Sequence, residues 1–263
     1  MKDRNFLHEL LTIYPNVPQH ALWRAIEAKL LSEQNLERPI LDVGCGDGTF
    51  SSVVFRNDKG GIYGCDASPD TVAKASICGI YEEAVVADAR KLPYPDAFFL
   101  SAFSNCVLEH IQEDEKVVSE ISRVLKPGGI FIFTVPSEHF KANLSGKSNK
   151  EIEELDRRLE HYHYRTLDEW KEITERCGLR IEKSFCFISS RVLIKWESMM
   201  DFFTSDIMGH ELGRLLTSKK FGINKLSSII LPQLFNSMLT KWYDEGLKET
   251  ISGSMRFISA KKI

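Results

Sequence analysis

The chain has 263 residues, a length that fits one large α/β domain or a domain with a small cap. Hydrophobic residues make up 43% and charged residues 27% of the sequence, which is ordinary for a soluble globular protein. The formal net charge of -3 provides no overall positive field for a phosphate backbone, so we expect no nucleic-acid partner.

The cysteines and the first residues indicate a cytoplasmic protein. Six cysteines are scattered without a CxxC pair, as is typical of buried free thiols in a reducing compartment. The N-terminal residues mix both charge signs and lack the apolar core of a signal peptide. No apolar run approaches the ~20 residues that span a bilayer, so we expect no transmembrane segment.

Predicted helices and strands alternate along a chain that we interpret as one domain, residues 1–263. Helices are predicted at 17–38, from Ser68 to Gly79, at 111–126 and at 167–178. Short apolar runs predict strands at 40–44, 60–65, 84–89, 98–105, 129–136, 180–188 and 252–262. Residues 137–165 are polar and charged and carry no predicted element. The alternation predicts an α/β fold with a doubly wound sheet.

A glycine-rich turn, LDVGCGDGTF (41–50), joins the first strand to the next helix. Gly44, Gly46 and Gly48 let the backbone turn tightly and approach a ligand without an intervening Cβ. The turn lies at a helix N-terminus, where backbone N–H groups favour a negative group. Glycine-rich turns also end strands for structural reasons alone, so the turn by itself does not decide between these interpretations.

Two carboxylates follow at successive strand ends. Asp66 closes the second strand 18 positions after Gly48, near the interval at which nucleotide-binding folds place a carboxylate for ribose hydroxyls. Asp88 closes the third strand, where a side chain can reach the edge of an adenine ring. Either residue could instead cap the helix that follows it.

The pattern of the turn favours a cationic ligand over a dinucleotide. Counted from Gly44 and Gly46, the third position of an NAD fingerprint falls on Thr49, which is neither glycine nor alanine. Asp42 precedes the turn, and an acid there suits an ammonium better than a pyrophosphate. S-adenosylmethionine carries an ammonium and a sulfonium and no phosphate, so the charges favour methyl transfer.

Five stretches in order resemble the class I S-adenosylmethionine-dependent methyltransferases, in particular the small-molecule group that includes ubiquinone-biosynthesis enzymes. They are ILDVGCGDG (40–48), GCDAS (64–68), ADARKLPYPDAFF (87–99), SNCVLEHI (104–111) and LKPGG (125–129). The resemblance implies S-adenosylmethionine as cofactor and a seven-stranded Rossmann-like sheet whose last strand runs antiparallel between the fifth and sixth. The sequence departs from the family pattern at Phe99, where the family usually has an aspartate. The absence of that aspartate concerns the stiffness of the local loop and not the choice of cofactor.

The resemblance implies a role for each matching residue around the methionine part of the cofactor. Asp42 and the backbone of Gly44, Cys45 and Gly46 would hold this part of the molecule. Asn105, just past the fourth strand, would contact the methionine amine through its carbonyl.

The resemblance also assigns four residues to the nucleoside. Asp66 would bind both ribose hydroxyls, with Ala67 packing on the adenine. Asp88 would accept a hydrogen bond from the adenine amino group, and Ala89 would supply a backbone donor.

Two histidine-containing segments are candidates for chemistry at the acceptor. His110 is the best-placed general base if the acceptor must lose a proton, although it could instead bond a backbone group and cap a helix. Glu109 adjoins it, but Gln112 and Glu113 complete no ligand set, so we expect no metal. Residues 161–164 form an aromatic and histidine cluster that recognises substrate or merely ends a helix.

Residues 189–251 form an apolar block, predicted helical, between the last two strands. A segment inserted there must leave from the ligand-binding rim of the sheet, so we interpret it as a helical lid over a small-molecule acceptor. Its apolar composition makes an apolar or lipid-like compound a candidate for that acceptor. A second small core and a homodimer contact are the alternatives. Residues 1–38 are interpreted as an N-terminal helical cover.

Three other functions compete with small-molecule methyl transfer. A catalytically silent S-adenosylmethionine-binding protein would keep the turn without an acceptor pocket. An NAD-dependent oxidoreductase is disfavoured by Thr49 in the turn. Methylation of RNA or protein is the third, and transfer to a base amino group is disfavoured because SNCV (104–107) stands where such enzymes commonly show an NPPY-type motif.

Overall fold

A computed structural model of the protein describes residues 4–56, 60–144, 146–207, 210–211 and 226–263. For 206–207, 210–211 and 226–229 it describes the backbone alone. The chain divides into two compact units. Gln34–Phe187 and Glu249–Ile263 form one, here called the sheet unit, and Met1–Glu33 and Ile188–Lys248 form the other, here called the helical unit.

The secondary structure follows the predicted alternation. The helices are α1 (Phe6–Ile13), α2 (Pro18–Ser32), α3 (Thr49–Val54), α4 (Pro69–Ala75), α5 (Asp114–Val124), α6 (Asn149–Leu159), α7 (Leu167–Arg176), α8 (Ser190–Thr204) and α9 (Leu226–Gly246). The strands of the main sheet are β1 (Ile40–Val43), β2 (Ile62–Asp66), β3 (Glu83–Val86), β4 (Phe99–Asn105), β5 (Leu125–Pro136), β6 (Leu179–Phe187) and β7 (Met255–Lys262). A single 3-10 turn, Leu108–His110, follows β4.

The sheet unit is built on one seven-stranded sheet in the order β3-β2-β1-β4-β5-β7-β6. The neighbouring strands from β3 to β5 pair in parallel, whereas β7 pairs antiparallel with both β5 and β6. This order confirms the predicted fold class, including the antiparallel last strand. β1 is buried at all four positions because strands flank it on both sides and helices cover sheets of this kind.

Local signals place most boundaries of the sheet unit within a few residues. Ser68 accepts a hydrogen bond from Thr71 N at the start of α4, and Pro69 occupies the first helical position, as predicted. β5 is longer than predicted, because residues 125–128 already belong to the strand. Helix α6 was not predicted, because most of its residues are charged and Leu155 is its single buried residue, although Ile152, Leu155 and Leu159 recur at helical spacing.

The helical unit brings the first two helices together with the segment that separates β6 from β7. Trp23 of α2 and Trp196 of α8 have ring centroids 5.0 Å apart. A Cβ built on Gly246, the last residue of α9, would lie 2.3 Å from Ile26 Cδ1. The predicted helix 17–38 ends at Ser32, because its apolar positions stop at Leu31.

The predicted cover (1–38) and lid (189–251) therefore share one core, and their functional roles stay predictions. Residues 1–3, 208–209 and 212–225 of these segments lie outside the described residues. Backbone pairs join Asp206–Ile207 to His210–Glu211. Among the described residues, no helix combines the length and the apolar character that crossing a membrane requires. The six cysteines are free thiols, but only Cys45, Cys65 and Cys186 are buried as predicted, whereas Cys106 and Cys177 are half-buried and Cys78 is exposed.

Candidate active site

A cleft of about 630 Å³ opens at the carboxyl ends of β1, β2 and β3, within the sheet unit. This volume is typical of cofactor and small-molecule sites, and the end of the strands is where open α/β sheets bind ligands. Six of the ten residues predicted from the sequence line it: Gly44, Asp66, Ala67, Asp88, Ala89 and His110. The remaining four, Asp42, Cys45, Gly46 and Asn105, are not among the lining residues.

Backbone N–H groups of the turn after β1 donate hydrogen bonds to other groups of the protein. Gly44 N and Cys45 N both donate to the carbonyl of Cys65, at 2.8 and 3.0 Å. Gly46 N donates to Asp66 Oδ2 at 2.9 Å, and Gly48 N donates to the carbonyl of Cys45 at 3.0 Å. The turn therefore offers carbonyl oxygens and few free donors. That suits an ammonium group better than the negative group expected at a helix N-terminus.

Two glycines of the turn have different surroundings. Gly44 has a φ of +78°, and a Cβ added there would lie 2.4 Å from Cγ2 of Val107, a residue that also lines the cleft. Gly46 has a φ of +54° and open space where its Cβ would stand. Gly44 is therefore required both for the left-handed backbone and for close packing, whereas Gly46 is required for the backbone alone.

Asp66 links the end of β2 to the turn and to helix α4. Its Oδ1 accepts from Ser68 N at 2.9 Å and from Thr71 Oγ1 at 3.1 Å, while Oδ2 accepts from Gly46 N. Two carboxylate oxygens offer about four acceptor positions, so these three bonds leave room for a ligand hydroxyl. The carboxylate is therefore held in place at the wall of the cleft.

Asp42 lies in the interior, with 4% of its surface exposed. Its Oδ2 accepts from Ser51 Oγ at 2.5 Å and from Tyr81 Oη at 2.6 Å. Burial raises the pKa of Asp42 from 3.8 to about 6, although both hydrogen bonds act in the opposite direction. This carboxyl binds neighbouring side chains, and its predicted role at the methionine stays untested.

Asp88 forms an ion pair with the neighbouring Arg90. The Arg90 guanidinium donates to both Asp88 carboxylate oxygens at 2.7 to 3.1 Å and to Glu113 Oε2 at 2.8 Å. The hydrogen bonds from Arg90 hold the pKa of Asp88 below its ordinary value. Among the described residues that line the cleft, Arg90 is the only lysine or arginine, and its charge is matched by these two carboxylates.

Asn105 ends β4, and Cys106 is the residue that follows it. Asn105 Oδ1 accepts from Thr134 Oγ1 at 2.9 Å, and Cys106 N donates to the carbonyl of Thr134 at 3.1 Å. Cys106 has a φ of 55°, in the left-handed region that non-glycine residues rarely adopt. The bend turns the chain so that the next residue, Val107, reaches the cleft.

His110 is exposed and lines the cleft next to a second histidine. Its Nδ1 lies 3.2 Å from the carbonyl oxygen of Glu160, and its ring centroid lies 5.1 Å from that of His161. Burial, and then the charge of His110, lower the pKa of His161 to about 4. The bond to a backbone carbonyl is the structural alternative for His110, but it leaves one ring nitrogen available.

Phe99, the departure from the family pattern, is fully buried. It makes edge-to-face contacts with Tyr63, Tyr94 and Phe98, at centroid distances of 4.9 to 5.6 Å. These aromatic rings pack where the family's aspartate would stand, so the start of β4 is supported by apolar contacts.

Several residues of the site were not predicted from the sequence. Arg90 and Val107 line the cleft, and Ser51 and Tyr81 bind Asp42, whereas Tyr162, which also lines the cleft, belongs to the predicted cluster 161–164. Tyr81 lies 39 positions from Asp42, so no local pattern connects them. The arginine two residues after Asp88 was a visible signal, because a side chain at that spacing can return to the carboxylate.

Comparison with known proteins identifies the family. Residues 41–133 match the family described as "Methyltransferase domain". The chain carries a class I S-adenosylmethionine-dependent methyltransferase domain. The matched residues contain the glycine-rich turn, Asp66 and Asp88, so the family assignment rests on the part of the chain that forms the cleft.

Relatives of the methyltransferase domain differ in their acceptors. The chain is 38% identical over 99 residues to the tRNA (carboxymethyluridine(34)-5-O)-methyltransferase of Arabidopsis thaliana, covering 36% of the chain and 23% of that protein. It is 34% identical over 161 residues to the sterol 4-C-methyltransferase of Caenorhabditis elegans, covering 59% and 42%. The chain spans about a fifth of the length of the first curated relatives it matches.

The fold of the methyltransferase domain also matches solved structures. The geranyl diphosphate C-methyltransferase of Streptomyces coelicolor aligns with a TM-score of 0.58 and 14% identity, covering 90% of this chain and 77% of that one. At this identity the likeness concerns the fold alone. S-adenosylmethionine is the cofactor of the family.

Proposed function

We propose that this protein transfers the methyl group of S-adenosylmethionine to a small-molecule acceptor. Besides the family assignment, the hydrogen bonding of the turn after β1 supports this proposal. The N–H groups of Gly44, Cys45 and Gly46 are all bonded inside the protein, so the turn offers acceptors to a cationic ligand. The charges around the cleft agree, since Arg90 is matched by carboxylates and provides no free cation for a pyrophosphate.

The residues at the strand ends fit the parts of this cofactor. Asp66 would bind one ribose hydroxyl at the acceptor position that its three internal bonds leave, and would bind the second by exchanging one of those bonds. Ala67 and Ala89 offer small apolar walls to the adenine, and Asp88 would accept from its amino group. Arg90 already donates hydrogen bonds to both Asp88 oxygens. The adenine amino group would therefore compete with Arg90 for these oxygens, or the ion pair would rearrange when the cofactor binds.

The methionine part would be held by the turn and by the end of β4. Carbonyl oxygens of Gly44, Cys45 and Gly46, and that of Asn105, can accept hydrogen bonds from its ammonium group. Asp42 would act through Ser51 and Tyr81, which it binds at 2.5 and 2.6 Å, and so would position the turn without touching the ligand.

When bound, S-adenosylmethionine supplies a methyl group on a positively charged sulfur. The protein's own contribution is to align the acceptor with that group and to exclude water. His110 is the proposed proton acceptor for substrates that lose a proton, because one of its ring nitrogens is free to face the cleft.

An apolar or lipid-like acceptor is the substrate class that we propose. The helical unit contains a cavity of about 420 Å³ with a mostly apolar lining, which includes Met199, Phe203, Phe235, Met238 and Leu239. A relative named as a sterol methyltransferase aligns with 59% of the chain, more than the tRNA-modifying relative does. These features support the lid interpretation of residues 189–251.

Calorimetry and a methyl-transfer assay test the proposal in sequence. We expect S-adenosylhomocysteine and S-adenosylmethionine to bind, whereas NAD shows no heat of binding. Methyl transfer is then measured with radiolabelled cofactor across sterols, fatty acids, phenols, amines and tRNA. Absence of cofactor binding overturns the proposal, and methylation confined to tRNA replaces its acceptor class. Binding without turnover on any acceptor favours the catalytically silent alternative.

A further inference from the structure

Three side chains beside the cleft form a set with the donor atoms of a metal site. One carboxylate oxygen of Glu109 and one ring nitrogen each of His110 and His161 lie within 4.8 Å of one another. We propose that these three residues bind a divalent transition-metal ion such as Zn²⁺. The site is separate from the residues proposed to hold S-adenosylmethionine, so the inference does not depend on the proposed function.

Two hydrogen bonds to backbone carbonyls hold the two segments that carry the ligands against each other. Tyr162 N donates to the carbonyl of Glu109 at 2.8 Å. His110 Nδ1 lies 3.2 Å from the carbonyl oxygen of Glu160, the residue that caps the end of α6 with a φ of 54°. The 3-10 turn and the segment after α6 are therefore fixed in register, and the three side chains start from defined backbone positions.

The partner of His110 determines which of its nitrogens can bind a metal. A carbonyl oxygen only accepts hydrogen bonds, so Nδ1 of His110 must carry the proton. The Nε2 atom of the neutral ring then holds a free lone pair. Metal-binding histidines usually donate their other N–H to a carbonyl or carboxylate in this way.

The same argument applies to His161 through a longer chain of bonds. Tyr164 Oη donates to Asp156 Oδ1 at 2.5 Å, so its hydroxyl proton is already used. His161 Nδ1 lies 3.0 Å from Tyr164 Oη and must therefore donate its own proton to that oxygen. Nε2 of His161 is again left with a lone pair, and Lys141 further fixes the chain through its ion pair with Asp156.

The third ligand supplies the negative charge. Glu109 is 2% exposed, and a carboxylate in such surroundings attracts a divalent cation more strongly than one in water. Two imidazoles and one carboxylate suit Zn²⁺, Fe²⁺ or Mn²⁺, whereas Mg²⁺ and Ca²⁺ prefer all-oxygen sites. Tetrahedral Zn²⁺ would bring the donor atoms to about 3.4 Å from one another, a contraction that side-chain rotations can supply.

Three protein ligands leave at least one coordination position open. Because His110 lines the cleft, a metal held by its ring would lie at the wall of that cleft. Binding a metal uses the Nε2 lone pair of His110 and thus replaces its proposed role as a general base. The sequence alone predicts no metal here, because the neighbours of Glu109 along the chain complete no ligand set and only the fold brings His161 to the site.

The test measures metal binding directly, on full-length protein freed of affinity tags and stripped of metals. Titration with Co²⁺ is followed by visible absorption, and titration with Zn²⁺, Mn²⁺ and Mg²⁺ by calorimetry. We expect one equivalent of Co²⁺ or Zn²⁺ to bind, and Mg²⁺ to bind far more weakly. Glu109→Gln and His161→Gln each remove a ligand and are expected to weaken Zn²⁺ binding more than about 100-fold. Changing a residue that only hydrogen-bonds to a ligand typically weakens metal binding less than this.

Two further variants separate a metal site from a general loss of structure. Tyr164→Phe removes the acceptor for His161 Nδ1 without changing a ligand, and should weaken Zn²⁺ binding about 10- to 100-fold. His139→Gln changes a histidine outside the cluster and should bind Zn²⁺ as the parent does. Circular dichroism and S-adenosylhomocysteine affinity are measured on every variant, so that folding and the cofactor site are followed separately.

The outcomes are distinguishable from those of the proposed function. Less than one equivalent of Co²⁺ in the parent protein, or equal Zn²⁺ affinity in the parent and in His161→Gln, overturns the metal site. Either result with S-adenosylhomocysteine binding intact leaves the methyltransferase proposal standing. Metal binding in a protein that fails to bind S-adenosylhomocysteine overturns the methyltransferase proposal alone.

Discussion

Gly46 N donates a hydrogen bond to Asp66 Oδ2 at 2.9 Å, joining the turn after β1 to the end of β2. The same carboxylate binds Ser68 N and Thr71 Oγ1 at the start of α4. One side chain thus orients the turn, the strand end and the helix together, and it faces the cleft while doing so.

Replacing Asp66 with alanine should weaken binding of S-adenosylhomocysteine by about 10- to 100-fold. A hydrogen bond to a charged group contributes about 1.5–3 kcal/mol, and each 1.4 kcal/mol changes affinity tenfold. Calorimetry with the two proteins measures the change. The matched control is Asp70→Ala, because Asp70 is an exposed carboxylate in the first turn of α4, four residues after Asp66. Equal affinities in the two variants would contradict the proposed ribose contact.

Replacing Asp42 with asparagine should change how stability depends on pH. Because burial raises the pKa of Asp42 from 3.8 to about 6, folding favours the protonated carboxyl. Its contribution to the free energy of unfolding is complete below pH 4 and is lost as the pH rises through 6. The total loss is about 3 kcal/mol by pH 8. Asparagine does not titrate, so it lacks this loss.

Urea denaturation of both proteins between pH 4 and 8 checks the expectation. The free energy of unfolding of the parent should fall relative to that of Asp42→Asn as the pH increases. Asp70→Asn serves as the control, since it makes the same substitution at an exposed aspartate of α4. If the Asp42→Asn curve also runs parallel to the parent's, the carboxyl is ionised throughout and the argument from burial is wrong.

Alanine at Gly44 should destabilise the protein by more than alanine at Gly79. Both glycines have a left-handed backbone, with φ of +78° and +81°, but a Cβ meets Val107 only at Gly44. The Gly79→Ala variant measures the conformational cost of about 1 kcal/mol. Gly44→Ala should add a further packing cost of about 1–3 kcal/mol. Thermal unfolding compares the two.

The added cost at Gly44 should diminish when Val107 is shortened. In a Val107→Ala background, the clash with Cγ2 at 2.4 Å no longer exists, so Gly44→Ala should cost about as much as Gly79→Ala does. Additive effects of Gly44→Ala and Val107→Ala would show that the two positions are not in contact.

Alanine at Gly246 should reveal the shared core of the helical unit. Its Cβ would lie 2.3 Å from Ile26 Cδ1, an atom that is fully buried and that Ile26→Val removes. We expect Gly246→Ala to destabilise the parent and to cost at least about 1 kcal/mol less in the Ile26→Val background. A double-mutant cycle by urea unfolding measures the coupling. Coupling near zero would contradict the contact between α2 and α9.

The sequence predicted the sheet well because its signals are local and repeated. Short apolar runs such as 98–105 mark buried parallel strands, and Ser68 with Pro69 marks a helix start. Helix α6 was missed although Ser148 and Glu151 form a capping box, a three-residue spacing that is visible in the sequence. The many charged residues of the segment and its few apolar ones, Ile152, Leu155 and Leu159, hid that signal.

The arrangement of the site depended on contacts that the sequence does not encode locally. The bonds from Tyr81 to Asp42 and from Gly46 to Asp66 join residues 39 and 20 positions apart, on different strands and turns. Motif matching identified which residues cluster, because strand ends meet at one edge of the sheet. It could not tell that the carboxylates already have partners inside the protein.

The order of strands has a consequence for synthesis on the ribosome. β7 lies between β5 and β6, yet its residues come after every other strand of the sheet. Until residues 255–262 have been made, the nascent chain holds β5 with an unpaired edge, and exposed edges of this kind recruit other chains. A chain that lacked residues 255–262 would therefore have a sheet without its strand between β5 and β6. We expect such a chain to aggregate through the unpaired edge of β5.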